Sequence, residues 1–295
     1  MKPIRTFWAF TRPHTIIGSA ISVTALAWMA RGLHFLSTDT FLWSLVSALA
    51  CNVFITGYNQ VVDVALDRRN KPDLPLASGA LSMRSGKIIV WSALALSLTS
   101  AAWVSRFLFV LVGAIALLGF LYSWKGVFLK RHHTSAALAI TVVRGLLVNV
   151  GFYLHFAGFT QLALLPDAIW LLAVFISLFS LGIAWFKDIP DMAGDAEASI
   201  GTLALKAGAT RVFKLGTYTV ASGYLIGAFA PFVFAFANVS GGVLTIGHAL
   251  LGGLFLTFAS RTNPSVHSDI QRFYKLFWVL FFAEYVLFVI AVAAH

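Results

Sequence analysis

Charge is what this sequence has least of. Only 11% of its 295 residues are Asp, Glu, Lys or Arg, against roughly 25% in a soluble domain. With 59% hydrophobic residues and a mean hydropathy of +0.87, that shortage excludes an ordinary soluble globule and leaves an integral membrane protein of several spans. Cysteine is almost missing too. The single Cys51 excludes an intrachain disulfide and says nothing of redox compartment. The first residues, "MKPIRTFWAFTRPHTIIGS", lack a short apolar core followed by a small-residue cleavage site, so neither a signal nor a transit peptide is expected. No polar linker divides the chain, and residues 1–295 read as one domain.

What is present is oil, in runs. Nine stretches approach the ~20 mostly apolar residues a span needs, at about 14–31, 41–60, 87–104, 106–124, 134–157, 167–186, 212–234, 241–260 and 273–294. Lys and Arg favour the cytoplasmic side of a membrane. With the N-terminus cytoplasmic, eighteen of the 21 basic residues fall in cytoplasmic segments; Arg31 and Arg106 fall outside, and Arg144 lies within a span. The expected fold is therefore all-α, nine transmembrane helices with the N-terminus inside and the C-terminus outside. The net charge of +10 is then a matter of topology, and no nucleic-acid partner is expected.

The acids follow no such rule. Eight of eleven lie on the cytoplasmic side, and seven of these follow the second and sixth apolar stretches. Asn59, Asp63 and Asp67 are spaced i, i+4, i+8, one face of a helix over ~12 Å. Asp188, Asp191 and Asp195 are spaced i, i+3, i+7, also one face if the stretch is helical, although Pro190 can start or kink a helix there. Like charges so placed repel. One such cluster can be a solvated helix end; two, each closing a span on the same side, call for a cation. Oxygen ligands without Cys or His favour Mg²⁺ over zinc, and Mg²⁺ is commonly shared between one or two carboxylates and substrate phosphates. Two acidic arms suggest a diphosphate between them, with Arg68, Arg69, Lys71 and Lys187 meeting its remaining charge. A diphosphate at the mouth of an oily bundle implies a lipid tail inside it, hence a polyprenyl diphosphate as partner. Loss of the diphosphate leaves an allylic cation that aromatic faces can stabilise in a dry cavity.

These residues resemble a known family. "NQVVDVALDRRNKPDLPLASG" and "KDIPDMAGD" look like the two aspartate-rich motifs of the UbiA superfamily of intramembrane prenyltransferases. "TRPHTIIGSAISV", "LYSWKGVFLKR" and "VRGLLVNVGFYLHF" are similar to the homogentisate branch, which serves tocopherol and plastoquinone synthesis. The resemblance runs from residue 11 to about 214. It implies nine helices around a central cavity, Mg²⁺ as cofactor, and prenyl transfer to an aromatic acceptor. It makes Asn59, Asp63 and Asp67 one Mg²⁺–diphosphate arm and Asp188, Asp191 and Asp195 the other. The loop at Leu121–Arg131 departs from the family. Tyr122, Ser123, Lys130 and Arg131 match, but Lys125 and Gly126 stand where two prolines are common and Phe128 where an Arg is common. Lys125 is expected to replace that charge toward the diphosphate. The membrane implied is a bacterial inner or thylakoid-like one, with the site facing the cytoplasm.

Among single residues, a buried membrane Arg suggests a functional partner, so Arg144 is expected to face the cavity and bind an acidic acceptor; its alternative is snorkelling. Asn149 can bond a ring hydroxyl or another helix. Glu284 reads as a protonated carboxyl tied to a neighbouring helix, or as paired with an interior Arg, and His14 as a capping residue or a substrate contact. The main reading is an aromatic prenyltransferase: the homogentisate ring attacks the allylic cation, and loss of carbon dioxide gives a methyl-prenyl-benzoquinol. Chlorophyllide, hydroxybenzoate and naphthoate are alternative acceptors. A transporter is the alternative of another class, but transporters place charged sites near the bilayer midplane, and these acids lie at helix ends.

Overall fold

The computed structural model describes residues 2–31, 37–158 and 161–295. Apart from isolated bridge residues, such as the pair His132 and Gly201, the described residues form helices, turns and loops. A short helix, α1 (Lys2–Phe10), precedes α2 (Pro13–Ala30), α3 (Thr38–Asn70), α4 (Met83–Val104), α5 (Arg106–Ser123) and α6 (His133–Ala157). After these come α7 (Asp167–Glu197), the short α8 (Leu203–Ala207), α9 (Ala209–Val233), α10 (Gly241–Ser260) and α11 (His267–Ala293). Serine caps start several of them: Ser37, Ser82, Ser105 and Ser240 each accept the backbone N–H of a first-turn residue, satisfying a donor the helix itself cannot.

Each of the nine apolar stretches falls on one of the long helices. Seven of these are long and apolar enough to cross a membrane, namely α3, α4, α5, α6, α7, α10 and α11. The stretches at 14–31 and 212–234 become α2 and α9, which fall outside those seven because Thr, Ser, Gly, His and Tyr dilute their apolar residues. Contacts pass from α2 through α3 to α7, then through α9 and α10 to α11, which packs back on α2 and closes the ring.

Two helices overrun any bilayer. At 1.5 Å per residue, α3 with 33 residues and α7 with 31 are about 50 and 46 Å long, against a hydrocarbon core of ~30 Å. Both overhangs carry acids. Asn59, Asp63 and Asp67, and Asp188, Asp191 and Asp195, thus lie on continuous helix, as their spacing predicts, while Asp73 falls in the turns beyond α3. Pro190 sits inside α7 without ending it.

The half of the bundle made by α7, α9, α10 and α11 is packed with rings, such as Phe179 stacked on Phe277 at 4.0 Å. Buried among them, Glu284 of α11 meets His248 of α10 at 2.8 Å. Its partner is therefore a histidine on the neighbouring helix, not an arginine.

Candidate active site

The overhangs of α3 and α7 face each other. Lys71 forms an ion pair with Asp191 and Arg69 with Glu197, and the Asn70 amide reaches Asp195 at 3.5 Å. Helical continuity puts Asn59, Asp63 and Asp67 on one edge of a cavity of about 890 Å³, and Asp188, Asp191 and Asp195 on the other. Asp63, Asp67, Asp188 and Asp195 are all buried. The Asn59 amide donates to Asp63 and to Ser123, at 2.9 Å each. Asp63 also pairs with buried Lys130, and Lys187 holds Asp188 at 2.8 Å beside Tyr122. Burial pushes the Lys130 ammonium below its usual range while Asp63 pulls the other way. Asp67 has no hydrogen-bonding or ion-pair partner for its carboxylate among the described residues.

Among those residues, no three acidic, His or Cys side chains converge closely enough to hold a metal ion by themselves. The donor chemistry nevertheless fits Mg²⁺: oxygens only, several carboxylates, with Asp67 and Asp195 in no direct ion pair among the described residues, and room for phosphate oxygens to complete the set.

The cavity runs down from this mouth. Along α3 it is lined from Asp67 through Asn59 and Asn52 to Ala48, 19 residues or about 28 Å. Its deeper wall is apolar, with Val112, Ile115 and Phe152. Between mouth and depth sits Arg144, eleven residues or about 16 Å along α6. Its guanidinium lies 5.0 Å from the Trp278 ring and 5.9 Å from Phe281; no carboxylate pairs with it among the described residues. His14 sets its ring edgewise on Trp278 at 4.8 Å and also lines the cavity.

Five expected site residues do not join. Arg68, Arg69, Lys125 and Arg131 are exposed and outside the cavity wall. Arg68 is on the outward side of α3. Lys125 is turned away by the tight bend in which the Phe128 N–H donates to the Trp124 carbonyl. That bend brings Lys130 inward instead, its ammonium 5.3 Å from the Phe128 ring. Asn149 is fully buried and off the cavity wall; it donates to two carbonyls of its own helix and accepts the Tyr285 hydroxyl from α11.

One cavity residue read only as a topology charge is Arg12. It has φ +55, a left-handed backbone costly for a residue with a side chain, and it lines the cavity. Gln60 fixes the preceding turn by donating to the Phe10 carbonyl at 2.7 Å. The one sequence sign of this was Pro13, which disfavours a helical Arg12.

The sequence profile of the UbiA prenyltransferase family matches residues 19–282. The chain is 37% identical to the homogentisate phytyltransferase of Synechocystis sp., over 99% of this chain and 96% of that one. It is 35% identical to the chloroplastic homogentisate phytyltransferase 1 of Arabidopsis thaliana, over 95% of this chain and 74% of that one. The structure of a UbiA homolog from Archaeoglobus fulgidus bound to GPP and Mg²⁺ superposes with a TM-score of 0.68, covering 98% of this chain and 99% of that one at 16% identity, a likeness of fold.

Proposed function

The chain belongs to the UbiA prenyltransferase family, and from that membership we propose that it transfers a prenyl group from its diphosphate to homogentisate, with loss of carbon dioxide, in prenylquinone synthesis. The proposal includes a single domain of nine membrane-crossing helices, α2 and α9 among them, with the N-terminus and the mouth on the cytoplasmic side of a bacterial inner or thylakoid-like membrane. The observation that carries the choice of acceptor is Arg144: a guanidinium inside an apolar cavity, between two rings and without a carboxylate of its own. A buried charge so placed needs a partner, and an acidic aromatic acceptor supplies one. Relatives that act on homogentisate agree with it.

Asn59, Asp63, Asp67, Asp188, Asp191 and Asp195 would hold Mg²⁺, which when bound neutralises charge on the departing diphosphate. Lys71, Lys130 and Lys187 already stand on these carboxylates and meet the phosphate oxygens that remain. The tail extends into the apolar depth. The bond between the first prenyl carbon and the diphosphate oxygen breaks, and a ring carbon of the acceptor forms the new carbon–carbon bond. The ring proton shed there balances the proton taken up by the side-chain carbon when carbon dioxide leaves. Trp278 and Phe281 offer π faces to positive charge and keep water out.

Purified protein with Mg²⁺, homogentisate and a panel of prenyl diphosphates, phytyl and geranylgeranyl among them, should yield a methyl-prenyl-benzoquinol with at least one donor. Transfer to hydroxybenzoate or naphthoate but not to homogentisate would overturn the acceptor, and no transfer to any of the three would overturn the reaction.

A further inference from the structure

The helix that carries Arg144 is irregular. From Val142 to Gly151 its backbone bonds close over five residues instead of four. Such π-helical backbone is rare, is usually a single turn, and concentrates at functional sites. It turns less per residue than an α-helix, so it decides in which direction Arg144 leaves the axis.

Two side chains hold it in that form. Asn149 is completely buried. Its amide donates to the Arg144 carbonyl at 2.7 Å and the Gly145 carbonyl at 2.9 Å, inside the irregular segment itself. Its own carbonyl oxygen accepts the hydroxyl of Tyr285, on α11, at 2.8 Å. The far side of the segment is fixed by close approach to α7, where any Cβ on Gly145 would collide with Ser177. The segment is therefore pinned between α7 and α11. Tyr285 lies four and seven residues beyond Phe281 and Trp278, so the anchor and the two rings beside the Arg144 guanidinium share one face of α11.

We propose that Asn149 and Tyr285 are positioning residues for the acceptor. Their hydrogen bond keeps the widened segment open and thereby aims Arg144, so affinity for the acceptor carboxylate depends on a buried bond set behind the guanidinium, between Asn149, which is off the cavity wall, and Tyr285, which lines it. The inference rests on the reading of Arg144 as the group that receives that carboxylate. Removing the Tyr285 hydroxyl leaves the Asn149 oxygen buried without a donor, a state costly enough to let the segment relax and Arg144 swing away.

Tyr285→Phe keeps the ring and removes only the donor. With Mg²⁺ present, and homogentisate and geranylgeranyl diphosphate varied separately, it should raise the KM for homogentisate about three- to tenfold and leave that for the diphosphate unchanged. In an Arg144→Ala background the same change should have no further effect, because the guanidinium it aims is gone. Asn149→Leu should match Tyr285→Phe; if it does not fold, Tyr285→Phe decides alone. An equal rise in both KM values, a fall in kcat alone, or undiminished loss in the Arg144→Ala background would overturn the positioning role. If Arg144→Ala raises the homogentisate KM but Tyr285→Phe does not, the positioning role falls while the acceptor reading stands. If Arg144→Ala leaves that KM unchanged, the acceptor reading falls and this inference with it.

Discussion

Lys71 at the end of α3 is bound to Asp191 near the end of α7, so the two acidic arms already share a cation that belongs to the chain itself. Both side chains retain some exposure, and the pair sits where a diphosphate would enter. Asp191→Asn should therefore reduce turnover roughly ten- to a hundredfold, the scale of a lost charge-assisted contact, with little change in thermal unfolding. Steady-state kinetics beside a melting curve checks both; near wild-type turnover at saturating Mg²⁺ would remove Asp191 from the machinery.

Asp63 behaves differently because its partner Lys130 is buried with it. Asp63→Ala strands that ammonium, and breaking one side of a buried pair costs about 3–5 kcal/mol. Activity and stability should fall together here, and the double variant Asp63→Ala, Lys130→Met should recover stability without activity. If the single variant melts like the parent, the pair is not a closed one.

Arg144→Ala should raise the KM for homogentisate roughly ten- to a hundredfold, from the ~1.5–3 kcal/mol of a hydrogen bond to a charged group. The prenyl diphosphate KM should hold. Equal changes in both would make Arg144 a structural residue.

In the loop after α5, Lys125→Ala should change neither KM, since Lys125 is exposed and off the cavity wall. Lys130→Met should raise the KM for the prenyl diphosphate. The opposite ranking would mean that the loop rearranges when substrate binds.

Gly227→Ala should destabilise the protein without selecting between substrates. A Cβ there would collide with the His248 ring and push it off Glu284. Reduced melting temperature with unaltered KM values for the surviving enzyme is the expected pattern; a substrate-selective defect would connect this pair to the cavity.

The helix pattern and the acids were legible because both depend on local spacing. Asp63 and Asp67 announce a face by their interval alone. The tie between Lys71 and Asp191 was not legible, because two overhangs 120 residues apart meet only once the ring of helices closes. Glu284 showed that it needed a partner, but nothing in sequence picks His248 from the other polar residues of the neighbouring spans. Arg12 was hidden by its left-handed backbone, which composition does not reveal. Asn149 was ambiguous because an amide serves a ligand or a backbone equally well until the π-helical segment shows which. The placement of Lys125 off the cavity wall was not legible because its charge shows in the sequence while the direction of the loop backbone does not.

The same uninterrupted α3 carries Asp67, Asp63 and Asn59 at the mouth and Asn52 and Ala48 in the depth. On the proposed reading it would work as a ruler, with the headgroup clasp and the tail bed engraved on one stick. A single residue inserted between Asn52 and Asn59 would turn one end against the other by about 100° and swing the carboxylates off the cavity while leaving every one of them in the chain. Length in this helix would thus be a chemical parameter: under the proposed function, the register between the breaking bond and the end of the tail follows from the number of residues between the two ends of one rod.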